Sequence, residues 1–251
     1  MRKDGGFHRG VKMKIRLGIR ARARIRSLVV MGMMSVLAAP ALADGLQPEV
    51  DQAVAMLEAF RSQEDRIPDD VLEKAYGLVF LTVVKGAIGV GGEIGKGIVI
   101  ARKKDGKVWS GPSGVGTGGA SFGFQWGGQV NEIILVLNTP KAVTAFTHGN
   151  VSLGGEISAA AGPLGRNASA GVMPAAAIYS YSRSQGVFGG ISLKGAAFTV
   201  RDGANEEYYG KPTTPKEILN RRVTPPAGAD KLRSTLESLA GSAPASSGSD
   251  T

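Results

Sequence analysis

Gly119-Ala120-Ser121-Phe122-Gly123 has the G-x-S-x-G spacing of a serine-nucleophile turn. That chemistry needs a strand, a sharp turn and then a helix, so that the hydroxyl projects towards a base. The residues that follow, FQWGGQV, read as strand or loop, and His148 is the one histidine beyond the first 43 residues. Ser121 is therefore read as a strand or turn residue. Gly114 to Gly119, GVGTGG, fits G-x-G-x-x-G but opens no helix and completes no βαβ unit, so a dinucleotide site fails on context. Asp202, Glu206 and Glu207 lack the alternating ligand pattern of a calcium loop and read as a solvated loop or a helix start. His148, beside Gly149, fits a cation at a helix C-terminus. With no cysteine in the chain, thiolate metal sites, cysteine nucleophiles and disulfides are excluded. No catalytic set or cofactor emerges.

What remains is binding chemistry. Arg102, Lys103, Lys104 and Lys107 flank Asp105-Gly106, a strong hairpin turn signal, and Trp109 stands just beyond. Cations at a hairpin tip with an aromatic beside them suit an anionic headgroup surface. Composition alone favours the plainer reading, a charged, solvated hairpin that resists edge pairing. Residues 48–62 place Ala53, Met56, Leu57 and Phe60 at i, i+3, i+4 and i+7, an apolar helical stripe. Such a face lies on a membrane or, more often, packs against its own domain.

These residues need elements to hold them. A second short helix is expected from Pro68, with Asp69 and Asp70 in its first turn. Of the 37 glycines, 27 lie between Gly77 and Gly203. Between them stand short apolar or alternating runs: GLVFLTVV, IGKGIVIAR, ASFGFQWGG, NEIILVLN, VSLGGEISAAAG, AAAIYSYSRS and GVFGGISLKGAAFTV. Short strands with glycine-rich turns predict an α+β protein, a glycine-rich antiparallel sandwich or barrel-like domain with N-terminal and short peripheral helices. Further helices are expected at Thr139–His148, with Thr139 as cap, at Thr214–Arg221, and around Leu232, Leu236 and Leu239. Residues 242–251 read as a disordered tail.

Residues 1–43 carry ten of the 30 Lys/Arg and one of the 21 acids, then the apolar run LVVMGMMSVL and AAPALA. A basic segment, an apolar run of about ten residues and an A-x-A end predict a secretory signal peptide cut after Ala43. The run is shorter than the roughly 20 residues a membrane-spanning helix needs. Met13 is an alternative start. The leader accounts for the whole formal charge of +9; the rest of the chain balances 20 bases against 20 acids. A nucleic-acid footprint is thus missing from the part expected to fold. The expected location is periplasmic or secreted.

KAYGLVFLTVVKGAIGVGGEIGKGIVIAR, W-S-G-P-S (Trp109 to Ser113), G-P-L-G-R (Gly162 to Arg166), Y-S-x-S-x-G-V-F-G-G (Tyr181 to Gly190) and N-E-E-Y-Y-G stand in the order found in the SYLF domain family. The chain resembles that family, in its exported bacterial form, over roughly residues 71–220. A helical segment precedes at 44–70, and a helix with a tail follows at 221–251. The resemblance implies a non-enzymatic module that binds anionic lipid, since eukaryotic members bind phosphoinositides and other anionic lipids and some bind actin. Phosphatidylglycerol, cardiolipin or the lipid A region would be the anions in a bacterial envelope. Lipid binding in the family goes with an N-terminal amphipathic helix and basic residues of the domain. By that likeness Met56, Leu57 and Phe60, and Lys74, Lys85, Lys96, Arg102, Lys103 and Lys104, are the candidate contacts, with Lys107 and Trp109 added from the hairpin. The alternative is a structural envelope protein that binds a protein partner of unknown identity or itself.

Overall fold

The computed structural model describes residues 45–61, 67–102, 108–153, 157–164, 176–184, 187–190 and 196–241. The leader segment, the hairpin tip 103–107 and the tail 242–251 lie outside the described residues.

Seven strands among the described residues belong to one antiparallel-dominated sheet, so the α+β expectation holds in its barrel-like form. Two strands of 25 residues dominate: β1, Gly77–Ala101, and β2, Ser113–Leu137. They pair antiparallel from Gly77↔Leu137 to Val99↔Ser113. Straight strands of that length would run about 80 Å at ~3.3 Å per residue. β1 instead turns back on itself near its middle. Lys85 Nζ lies 3.0 Å from Glu93 Oε2, and the Arg102 N–H donates to the Tyr76 carbonyl at 2.9 Å. Gly97 shows why glycine stands in this strand. A Cβ there would sit 1.8 Å from the Phe80 carbonyl oxygen, so the two halves of β1 approach more closely than any side chain permits.

Five shorter strands complete the sheet: β3, Asn150–Ser152; β4, Ala159–Ala161; β5, Ile178–Ser184; β6, Val187–Gly190; and β7, Ala197–Val200. β7 pairs with the first part of β2 and β5 with its last part. β3 borders β7, while β4 and β6 both border β5. GLVFLTVV and IGKGIVIAR, expected as separate strands, are the two halves of β1. ASFGFQWGG and NEIILVLN both lie in β2.

Both faces of the sheet are buried around Ile133–Leu137, which explains the unbroken apolar run IILVL. Alternate residues Leu78, Phe80, Ile98, Ile100, Ile134 and Val136 face a layer of helices: α1, Gln47–Arg61; α2, Asp69–Lys74; and α6, Asp230–Gly241. Their neighbours Val79, Leu81, Val99, Ile133 and Leu135 build a second core. That core is closed by Phe198 of β7 and by α3, Pro140–Ala145, and α5, Pro215–Leu219. Phe146 and Phe198 meet there edge to face at 5.7 Å.

Local signals place the helices. The Ala142 N–H donates to Thr139 Oγ1, the expected cap of α3. Thr214 and Glu217 close a reciprocal capping box on α5. α4, Asp202–Tyr209, grows from the acidic cluster, and Gly210 ends it with φ 68°. Glycine adopts that left-handed conformation without steric cost.

Candidate functional site

The stripe of α1 is a core face. Met56, Leu57 and Phe60 are 1–3% exposed and pack on the sheet with Val50, Ala53 and Val54. Lipid contact through these three side chains would require α1 to leave the sheet and expose them, at about 1.5–3 kcal/mol for each large side chain. Polar contacts pin the helix as well. Gln52 Nε2 donates to Glu132 Oε1 at 2.7 Å, and Glu132 is also held by Arg183. Glu49, nearly buried, accepts Lys96 at 3.1 Å and Arg201 at 3.0 Å.

The remaining sequence candidates separate into structural and surface groups. Arg102 reaches across to the C-terminal end of α2. It donates to the carbonyls of Ala75 at 2.8 Å, Leu72 at 3.1 Å and Glu73. Carbonyls at a helix C-terminus lack their full set of intrahelical partners, and the Leu72 one also accepts the Ala75 N–H. The guanidinium also lies over the Trp109 ring, 5.1 Å from its centroid. Burial lowers the Arg102 pKa, an effect that Glu73 opposes. Trp109 is 2% exposed within the helical-side core, so it sits beneath the surface rather than at a membrane interface. Lys74 and Lys85 are exposed and stand 3.5 Å from Asp70 and 3.0 Å from Glu93. Lys96 is half-covered by α1. Lys103, Lys104 and Lys107 lie outside the described residues. Arg102 and Trp109, on either side of them in the chain, form an isolated antiparallel bridge.

The fold adds basic residues that the local sequence did not assign to this hairpin. Arg221 Nη1 donates to the Val108 carbonyl and Arg233 Nε to the Trp109 carbonyl, both at 3.3 Å. Val108 is itself exposed. Arg222 follows, exposed, and Arg233 Nη1 also reaches Asp230 Oδ1 at 3.4 Å. Arg221 holds φ 58°, an uncommon conformation for a side-chain-bearing residue. Residues more than a hundred positions downstream therefore meet the backbone of Val108 and Trp109.

Two motif blocks lock together beside it. Buried Asn205 of α4 accepts the Gly114 N–H at 2.7 Å and donates to Ser113 Oγ at 3.3 Å. Tyr209 donates to the Pro112 carbonyl at 3.0 Å. N-E-E-Y-Y-G thus clamps W-S-G-P-S. Ser121 pairs with Gly91 in mid-strand, so the strand–turn–helix setting of a nucleophile does not form. His148 is exposed, its Nδ1 2.8 Å from the Thr144 carbonyl at the end of α3.

The fold and this clamp define an α+β domain built on a curled, antiparallel-dominated sheet. The family model for Ysc84, described as Las17-binding protein actin regulator, matches residues 118–239. LAS seventeen-binding protein 3 of Saccharomyces cerevisiae is 38% identical over 206 residues, which is 78% of this chain and 45% of that protein. SH3 domain-containing YSC84-like protein 1 of Homo sapiens is 38% identical over 203 residues, 77% of this chain and 59% of that protein. The chain belongs to the Ysc84/SYLF family. It spans about half the length of the curated relatives it matches.

Proposed function

We propose that this domain binds anionic membrane surfaces and performs no chemistry on them, in the envelope of a bacterial cell that exports it. The leader features of residues 1–43 support export to the periplasm or beyond, and the family supports a binding role. The observation that carries the reading is that Arg221 and Arg233 hydrogen-bond the backbone carbonyls of Val108 and Trp109, beside Arg102, with Arg222 exposed next in the chain. Arg102, Arg221 and Arg233, from three separate stretches, thus meet around Val108 and Trp109 although the chain from Asp44 is neutral overall. A cation near an anionic leaflet contributes about 1 kcal/mol. Changing Lys103, Lys104, Lys107 and Arg222 together to Gln should then weaken binding at least tenfold. The assay is co-sedimentation of residues 44–251 with phosphatidylcholine vesicles, with and without phosphatidylglycerol, at low and high salt. Binding restricted to anionic vesicles and lost at high salt is expected. Unchanged binding by the variant would remove this end of the molecule from the reading.

A second reading, a module for a protein partner, draws on the relatives' names, since a Las17-binding protein is named for a protein it binds. It predicts a reproducible partner or a self-association without lipid, read by pull-down and light scattering.

A further inference from the structure

Charge is divided across the sheet. The helices on its first face, α1, α2 and α6, carry eight acids against four bases. Asp51, Glu58, Asp69, Glu73 and Asp230 are exposed there. The elements that close the second core are basic instead. Lys141 of α3, Lys211, Lys216 of α5 and Arg222 are exposed, Arg221 is half-buried, and Glu217 is the one acid in residues 140–148 and 211–222. α4, with Asp202, Glu206 and Glu207, stands between the two sides, Tyr208 packing against the first core and Tyr209 against the second. Pairing sharpens the division. Among the described residues six Lys or Arg side chains sit in ion pairs, from Lys74 with Asp70 to Arg233 with Asp230. Arg102 is taken up by carbonyls. Lys141, Lys211, Lys216, Arg221, Arg222 and Lys231 form no ion pair among the described residues, and all but Lys231 of α6 belong to the second-core side. The Glu217 carboxyl is held below the usual carboxylate range first by the Thr214 hydroxyl and N–H, with smaller contributions from Lys211 and Arg222, which places those two cations around α5.

We propose that the outer surface of α3 and α5, with Arg221 and Arg222, rests on an anionic bilayer and turns the acidic layer of α1, α2 and α6 away from it. This assignment rests on the membrane reading above, adding Lys141, Lys211 and Lys216 to it and giving it an orientation. A cation without an internal partner gives up nothing when it meets a headgroup, whereas Lys85 and Lys96 would first have to leave Glu93 and Glu49. Point charges spread over two helices and the turn after them suit a plane of headgroups. A single bound phosphate would instead need donors converging on one spot. The acidic layer adds repulsion from the same leaflet, so a domain without net charge still takes one orientation.

Residues 44–251 carry both cores and suit the test. Lys141→Glu, Lys211→Glu and Lys216→Glu together should lower affinity for vesicles of phosphatidylcholine and phosphatidylglycerol by about tenfold or more. The thermal midpoint should stay unchanged, because the three side chains are exposed and hold no ion pair. Lys231→Glu, which alters the unpaired cation of the acidic layer, should leave vesicle affinity unchanged. Orientation is read with wild-type charges, so it is decided even where the triple variant loses its fold. The chain has no cysteine, so Thr144→Cys on α3 and Ser234→Cys on α6, both exposed, each give one labelling point. A fluorophore at residue 144 should be quenched by lipids with a nitroxide headgroup, and one at residue 234 should not. Quenching at residue 234 equal to or above that at residue 144 would overturn the orientation, as would a folded triple variant that binds like the wild type; both leave the membrane reading intact. A lack of co-sedimentation with every vesicle would overturn both. Inorganic phosphate that releases the domain better than chloride at equal ionic strength would overturn the planar contact in favour of a single phosphate site.

Discussion

Arg102 was a candidate headgroup contact by sequence and is a helix clamp by structure, and Arg102→Ala separates the two roles. The side chain donates to three carbonyls of α2 and its C-terminal extension and covers the Trp109 ring. Hydrogen bonds from a charged donor contribute about 1.5–3 kcal/mol each when well buried. Arg102 is only half-buried and water can replace part of the set, so about 3 kcal/mol is a fair total including the cation–π contact. For a domain of this size each kcal/mol moves the thermal midpoint by roughly 2–4 °C, giving a fall of roughly 6–12 °C. Lysine cannot span three carbonyls with one fixed fork, so Arg102→Lys should recover less than half of the loss. The assay pairs thermal denaturation with vesicle co-sedimentation well below the transition. Arg102→Ala should retain vesicle binding while losing stability, and Lys103→Gln/Lys104→Gln/Lys107→Gln should do the reverse. An unchanged midpoint together with lost vesicle binding would refute the clamp and restore Arg102 to the surface role.

Gly97→Ala forces a methyl to 1.8 Å from the Phe80 carbonyl oxygen, a backbone atom that cannot swing aside. It should cost about 3 kcal/mol or prevent folding, whereas Gly203→Ala in α4 meets nothing within 4 Å and should stabilise by about 0.5–1 kcal/mol; denaturant titration compares the two. Asn205→Ala leaves the buried Gly114 N–H without its acceptor and should cost about 1–3 kcal/mol by the same measurement. The Glu217 carboxyl is held below the usual carboxylate range, first by the Thr214 hydroxyl and then by its backbone N–H. Its contribution to stability is present above the ordinary carboxylate pKa and fades as pH falls through the depressed one. Thr214→Val should move the Glu217 titration upward in an NMR pH series.

Periodicity made the helices legible: the stripe of Ala53, Met56, Leu57 and Phe60, the cap at Thr139 and the leucines of α6 all lie where a 3.6-residue repeat puts them. Strand types were legible too, but strand lengths were not. Glycine reads as a breaker, yet Gly95 and Gly97 continue β1 because its own first half passes within a methyl's radius. What that glycine answers to is seventeen residues away, and no local pattern reports it. Site residues divide on the same line. A run of cations beside an aromatic shows charge and says nothing of what each cation touches. Arg102 is claimed by carbonyls some 30 residues earlier, while Arg221 and Arg233 come to the hairpin from more than a hundred residues later.

That separation bears on the proposed membrane contact. The apolar helix, the feature a sequence reader reaches for first, is consumed by the core, and exposing it would cost several large side chains their burial. A binding mode that leaves both cores intact is favoured over one that dismantles the helical layer, by an amount comparable to the stability of a whole domain. Salt dependence distinguishes the two modes: attachment through surface cations such as Arg222 would fall with ionic strength, whereas attachment through an undocked α1 would persist. A vesicle affinity that declines with salt towards zero is the expectation for a domain that binds with both cores intact.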